Sequence, residues 1–256
     1  MPKIISNDKI SSDYYYMKIK APEIAVKGLP GQFVHIKVNS DDQSFDPLLR
    51  RPFSFFDIDK ENGIIEIAYC IVGRGTRILS GYKSQKLDIL GPLGNSFNYT
   101  LKNKNIFIIG GGMGIAPLYY LSKKVSKENK VNVLLGGNTG KDLRFFINKF
   151  QKLSLNLKTA TMDGSRGFKG TVTELWQDLF DFNKIDYLFS CGPEPMLKEI
   201  KDTADRYEIQ GEVSLEERMG CGIGVCLSCT CKTKEGNKRI CTSGPVLPLE
   251  EVIFDD

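Results

Sequence analysis

The sequence predicts a multi-domain β plus α/β fold, with a small antiparallel barrel over residues 1–100, a Rossmann-like parallel sheet over 101–211 and a small cysteine-rich module over 212–256. Three observations carry that division. YYYMKIK (14–20), GQFVHIKV (31–38), PFSFFDI (52–58), IIEIAYCIV (64–72) and KLDILGP (86–92) are short strand-like runs with turn residues such as GLPG and ENG between them. Strands of that length at that spacing form an antiparallel barrel or sandwich. From IFIIGGGMGIAPLYYLSKKV (106–125) onward the texture changes to a buried strand, a glycine turn and a helix, and VNVLLGGN, DLRFFINKFQKL, LKTATMDG, TVTELWQDLF and IDYLFSCGP continue the alternation. That rhythm gives a parallel sheet with crossover helices. The final stretch, about 45 residues long, is rich in cysteine and glycine. A segment that small cannot bury its own core and folds around a metal or disulfides.

Composition narrows the classes of function. With 41% hydrophobic and 26% charged residues in 256, the chain has the means for a sizeable core and is not disordered. The net charge of +4 comes from scattered lysines, and runs such as KNK (102–104) read as solvated surface, so nucleic acid is not an expected partner. No apolar stretch follows the first charges, and runs such as IFII (106–109) are far too short for a bilayer, so a cytoplasmic protein without membrane contact is expected. Seven cysteines without an export signal point to thiolates that bind metal or stay reduced.

Five of those cysteines lie in GCGIGVCLSCTCKTKEGNKRICTSG (220–244), with the spacing Cys221-x4-Cys226-x2-Cys229-x11-Cys241. C-x4-C-x2-C with a distant fourth cysteine is the plant-type [2Fe-2S] arrangement, all four ligands being thiolates. Gly220, Gly222 and Gly224 suit a loop that folds back around a cluster and lets backbone N–H groups approach sulfur. A structural zinc site is the alternative, since Cys226-x2-Cys229 alone is a zinc knuckle element. No second CxxC follows, and the single histidine, His35, lies far upstream. Cys231 is the surplus thiol. If TCKT is extended it points to the same side as Cys229, near the cluster, and reads as a buried thiol outside the ligand set or as a reserve ligand.

GGGMGIAP (110–117) follows a buried strand and opens a helix, where a parallel sheet brings a pyrophosphate to a helix N-terminus. It fits G-x-G-x-x-G only in part, and a tight turn is the competing reading. CGPEPM (191–196) ends the strand YLFS at the crevice where such sheets bind ligands, although Cys191 also reads as one more buried small residue. In the first third, Arg51-Pro52-Phe53-Ser54 opens a strand and GRGTRIL (73–79) a short helix. An arginine beside a hydroxyl and a glycine-rich helix start with Thr76 are one way to hold a diphosphate and a flavin; strand edge and turn are the plain alternatives. His35 alternates with Val34 and Ile36 and is expected on the opposite face, at the surface or the barrel lip, without a catalytic role.

Taken together, RPFS, GRGT, DILGPLGNSF, GGGMGIAP and CGPEPM resemble the ferredoxin reductase superfamily. With the cysteine segment and RICTSGPVLP appended, the whole chain is similar to the electron-transfer subunits of NAD-dependent (type B) dihydroorotate dehydrogenases. The resemblance implies an FAD-binding barrel, an NAD-binding sheet and a [2Fe-2S] module. It implies that Arg51 and Ser54, with Pro52 and Phe53 between, bind the flavin, that Ala68, Tyr69 and Cys70 lie along it, and that Gly75 and Thr76 cap its diphosphate. Gly110, Gly111, Gly112 and Gly114, with Cys191, Gly192 and Pro193, would face the nicotinamide nucleotide, and Cys221, Cys226, Cys229 and Cys241 would hold the cluster. The implied partner is an FMN-containing catalytic subunit that oxidises dihydroorotate in pyrimidine biosynthesis, in a heterotetramer of two subunits of each kind.

Such chemistry needs little acid–base machinery, because nicotinamide moves two electrons at once, a cluster moves one, and a flavin converts between them. NAD is favoured by resemblance. The acidic residue expected after VNVLLGG for a ribose hydroxyl is absent, with Asn138 and Thr139 in its place and Lys141 and Arg144 following. Rival readings are a subunit of an NADPH–ferredoxin transhydrogenase or of a sulfite or sulfur reductase, and a non-enzymatic metal-binding redox sensor or zinc-stabilised binding module.

Overall fold

The computed structural model describes residues 1–38, 46–153, 155–179 and 181–254. The first third forms seven strands: β1 Lys3–Lys9, β2 Tyr14–Lys20, β3 Phe33–Ile36, β4 Arg51–Ser54, β5 Asp57–Asp59, β6 Ile64–Cys70 and β7 Ile89–Leu93. They pair antiparallel in two sheets, β1-β2-β6-β5 and β4-β3-β7. Alternation sets which side chains meet: Met17, Ile19, Ile65 and Ile67 of one sheet pack with Val34, Ile36 and Phe53 of the other. Two short helices, α1 Pro22–Lys27 and α2 Arg74–Ser80, fill the connections.

Next comes a parallel α/β layer. Its elements run β8 Asn105–Gly111, α3 Ala116–Val125, β9 Lys130–Gly137, α4 Gly140–Phe150, β10 Asn156–Thr161, β11 Phe168–Lys169, α5 Val172–Leu179, β12 Tyr187–Cys191, α6 Glu194–Arg206 and β13 Gly211–Ser214. The chain enters at β8 in the middle of the sheet, winds outward through β9, β10 and β11, then returns to the other side of β8 with β12 and β13. Strand order therefore reverses between β8 and β12, and the crevice at such a switch point is where these sheets bind ligands. Gly110 and Cys191 face each other in register there.

The segment expected from residue 212 begins inside β13. After a glycine- and cysteine-rich loop it forms the hairpin β14 Thr230–Thr233 and β15 Gly236–Arg239, then the helical turn α7 Ile240–Ser243, and returns as β16 Val246–Pro248, antiparallel to β13. The module is thus stitched to the parallel sheet by a strand at each end. Barrel and sheet are joined by an aromatic seam. The Phe56 ring stacks on Tyr119 at 4.5 Å and 2°, with Tyr16, Phe145 and Phe146 around it. Lys149 lies 4.5 Å over the Tyr16 ring, and Lys123 pairs with Asp57 at 2.8 Å. No helix among the described residues is long and apolar enough to cross a membrane.

Candidate functional site

A cavity of about 310 Å³ opens where barrel, parallel sheet and cysteine-rich module meet. Its barrel wall is Arg51, Pro52, Phe53 and Ser54 from β4, Ala68, Tyr69 and Cys70 from β6, and Thr76 from α2. Seven of these eight are consecutive residues of two strands, so two sequence motifs distant along the chain become one surface. Gly75 stands just behind. A Cβ there would lie 2.8 Å from Arg51 Nε, so the glycine leaves room for the guanidinium to rest over the start of α2, and a side chain would make the arginine move. Thr76 Oγ1 accepts from the N–H groups of Val72 and Gly73 at 3.0 and 3.3 Å, which fixes the turn. Tyr69 donates to Asn7 at 3.0 Å and stacks on Tyr15 at 5.6 Å, so its ring is held against the cavity. Burial pushes the Cys70 thiol up, making it a neutral packing group. An apolar slot with an arginine and two hydroxyls at one end fits a flavin and its diphosphate.

The opposite wall draws on the glycine motif and on the segment after the last cysteine, both marked in the sequence, and on residues 215–219, which were not foreseen. Met113, Ala116 and Pro117 come from the glycine turn, and Leu215, Glu216, Glu217, Met219, Ile240 and Pro245 from the chain after β13. Glu216 is open to solvent as a residue, but it stands against the walls of this cavity and the next, and crowding there pushes its carboxyl up. No local pattern marks residues 215–219, because their place depends on how the chain crosses the sheet's edge.

The two nucleotide motifs pack onto each other. A Cβ on Gly114 would fall 2.6 Å from the Cys191 carbonyl, and one on Gly111 2.6 Å from Met196 Sδ. Gly112 takes φ +56°, which only glycine adopts freely. Cys191 is 1% exposed, its thiol pushed far up by burial, and it lines neither cavity at this end; its backbone is what meets the glycine turn. Gly192 and Pro193 instead line a second cavity of about 430 Å³, together with Glu194, Glu216, Glu217 and Cys231. A third, of about 510 Å³, gathers Thr139, Lys141 and Arg144 with Asp163, Ser165 and Arg166. The Ser165 hydroxyl and N–H, at 2.6 and 3.0 Å, hold the Asp163 carboxyl low. An acidic residue does reach this pocket, then, but from the loop after β10 rather than β9.

The four spaced cysteines sit in a shell of backbone donors. Ile223 and Val225 aim N–H groups at Cys221 Sγ (3.5 and 3.4 Å), Gly224 at Cys241 Sγ (3.1 Å) and Cys241 at Cys229 Sγ (3.4 Å). Cys221 and Cys226 exchange N–H contacts with each other's sulfur at 3.4 and 3.5 Å. Gly222 and Gly224 make this possible at φ +72° and +82°. The thiols fall into two pairs, Cys221 with Cys226 and Cys229 with Cys241. Paired thiols in a shell of N–H donors fit a two-iron cluster better than a tetrahedral zinc. The Ser228 hydroxyl brings the Cys226 thiol down to about 6, which favours its thiolate, and the Ile223 N–H lowers Cys221 in the same direction. Burial raises Cys241 to about 11, so that thiol needs a metal to ionise it. Cys231, half-buried on β14, has its thiol pushed up by burial and faces the second cavity.

His35 corrects an expectation. It is 0% exposed, because strand β3 is buried on both faces and the outer one is covered by the cysteine loop: a Cβ on Gly222 would lie 2.5 Å from His35 Nδ1. Alternation placed it opposite Val34 and Ile36 but could not show that another segment, nearly two hundred residues later, covers that face.

Comparison with known proteins agrees with this architecture. Residues 216–253 match the family described as the iron-sulfur cluster binding domain of dihydroorotate dehydrogenase B. The chain is 38% identical to the dihydroorotate dehydrogenase B (NAD(+)) electron transfer subunit of Desulforamulus reducens, covering 99% of this chain and 97% of that one. It is 39% identical to the subunit of the same name from Bacillus pumilus, over 97% and 96% of the two. Among solved structures, an NADH-dependent reduced ferredoxin-NADP oxidoreductase studied for flavin-based electron bifurcation superposes with a TM-score of 0.88 at 31% identity, over 99% of this chain and 90% of that one. The ferredoxin reductase of carbazole 1,9a-dioxygenase, at 21% identity and a TM-score of 0.65 over 81% and 64% of the two chains, shares the fold. The chain belongs to the family of dihydroorotate dehydrogenase B electron transfer subunits.

Proposed function

We propose that this chain, as a member of that family, takes electrons from an FMN-containing dihydroorotate dehydrogenase catalytic subunit at a [2Fe-2S] cluster and passes them through FAD to NAD+, in pyrimidine biosynthesis. The observation that carries the reading is adjacency. The cavity walled by the RPFS strand is closed on its far side by Met219 and Ile240, and Ile240 is the neighbour of Cys241 in the cage. A flavin supplies the exchange between two-electron hydride and one-electron cluster chemistry. This chain's residues supply position: Arg51 and the start of α2 for the diphosphate, β4 and β6 for the ring, the two packed glycine turns for the nicotinamide nucleotide. Asp163, beside Thr139, is the acidic group for a ribose hydroxyl.

The catalytic subunit docks where the cage reaches the surface. Ile223, Val225 and Leu227 are 56%, 75% and 61% exposed on the cluster loop, an apolar face with no cover within this chain's described residues. Two such subunits and two catalytic ones form the assembly, in the cytoplasm.

Protein purified without oxygen is expected to carry about one FAD and two irons per chain, and zinc in place of iron would sink the reading. Mixed with an orotate-forming subunit, it is expected to reduce NAD+ with dihydroorotate. Failure of that mixture, alongside ready exchange between NADPH and ferredoxin, would assign the chain to the transhydrogenase class whose architecture it shares.

A further inference from the structure

His35 carries a role that the family's cofactor inventory does not assign. It pairs in register with Pro52 of the RPFS strand on one side and Leu90 of β7 on the other, so its backbone belongs to the wall that holds the flavin. Its side chain leaves that wall toward the cage. It is fully buried, and neither ring nitrogen has a hydrogen-bond partner among the described residues. A buried polar group left unpaired is costly, and a native fold that retains one calls for an explanation.

The surroundings supply it. Nδ1 occupies the space a side chain at residue 222 would need, and that residue is a glycine at φ +72°. The main-chain carbonyls of Arg50 and Cys221 face the ring. The Cys221–Gly222 peptide sits at the head of the run whose next N–H groups, on Ile223, Gly224, Val225 and Cys226, all point at cage sulfurs. From the solvent side Arg239 donates to the Gly224 carbonyl at 2.9 Å, so the loop is gripped from outside and wedged from within.

We propose that His35 is a positioning residue for the cluster: its ring donates an N–H into the Cys221–Gly222 peptide and thereby fixes the backbone donors that face the sulfurs. The inference rests on the cluster reading of the four cysteines. Hydrogen bonds to cluster sulfurs stabilise the more negative, reduced state, and so raise the reduction potential. His35 sets that potential without touching iron, and it ties the loop's position to the flavin strand.

The test compares the whole protein with His35→Phe, which keeps a ring but no N–H, and His35→Gln, which keeps a donor. The readouts are iron and FAD per chain, the electron paramagnetic resonance signature of the reduced cluster, and its midpoint potential. His35→Phe is expected to keep both cofactors and to disfavour cluster reduction about tenfold, a fall of about 59 mV for a one-electron couple. His35→Gln is expected to recover most of that shift. Parental signature and potential in His35→Phe would overturn the proposal and leave the ring as filling. If His35→Phe loses FAD together with iron, the barrel has failed and His35→Gln decides: a near-parental signature supports the role, and a displaced one overturns it. Absence of iron from the parent protein would instead sink the cluster reading itself.

Discussion

The seam between barrel and parallel sheet and the cage around the four thiols are both junctions, and they are built in opposite ways. At the seam Phe56, Tyr119, Phe146 and Phe150 are buried and stack face or edge, with the Lys149 amino group over three rings. Its energy comes from removing apolar surface from water, which needs no ligand. In the cage the groups that converge are polar, namely thiols and backbone N–H, while the loop's apolar side chains point outward. One junction is therefore a product of folding, and the other is completed by its cofactor.

Replacing a cage thiol breaks this contrast most severely. Cys241→Ser or Cys226→Ser is expected to bring iron from about two per chain to near none while FAD stays bound, as metal analysis beside flavin absorbance would show. Loss of FAD in the same variants would mean that the regions fold as one unit. Phe56→Ala attacks the other side. It empties a fully buried position, stacked on Tyr119, and is expected to cost about 3–5 kcal/mol in urea unfolding. The folded fraction is expected to keep its iron. An unchanged midpoint would show that the seam is not what joins the halves.

What the sequence made legible follows the same division. RPFS and GRGT could be read as parts of one site because each is contiguous and each lies on a single element. The cage was legible because Cys221, Cys226 and Cys229 fall within one loop, where spacing sets geometry. His35 was misplaced and Glu216 and Asp163 were not foreseen for a shared reason: each is defined by a segment that packs on it from elsewhere. Period-2 alternation reports that a strand has two faces, and the burial of all four residues of β3 shows that both can be covered. The rule that seeks an acid after the second parallel strand fails here because the loop after the third brings Asp163 to the same pocket.

A subtler test concerns Glu216, which stands between the flavin-type cavity and the second one. The residue is exposed, but crowding of its carboxyl by the two cavity walls raises its folded-state pKa above its unfolded value, so the folded protein binds the proton somewhat more tightly, an effect that solvent weakens. Its contribution to stability is whole below the unfolded pKa, about 4.3, and is lost as pH rises through the folded value. In cofactor-free protein Glu216→Gln is expected to be more stable than the parent at pH 8, with the advantage shrinking toward pH 4. A constant difference in urea midpoint across that range would show that the carboxyl is already solvated.

The smallest effect expected is at Cys231, and it sharpens the comparison because it lies within two residues of Cys229, a proposed ligand. Its thiol faces the second cavity, is neutral through burial, and contributes no sulfur to either cage pair. Cys231→Ser swaps one small half-buried group for another and is expected to change stability by less than about 1 kcal/mol, with iron content and the spectrum of the reduced cluster unaltered. Cys229 is buried where Cys231 is half-buried: it ends the loop just before β14 and its sulfur accepts the Cys241 N–H at 3.4 Å. Should Cys231→Ser lose iron while Cys241→Ser keeps it, the second pair would be Cys229 with Cys231. The cage would then close within the hairpin, and the return strand β16 would no longer be tied to it by a ligand.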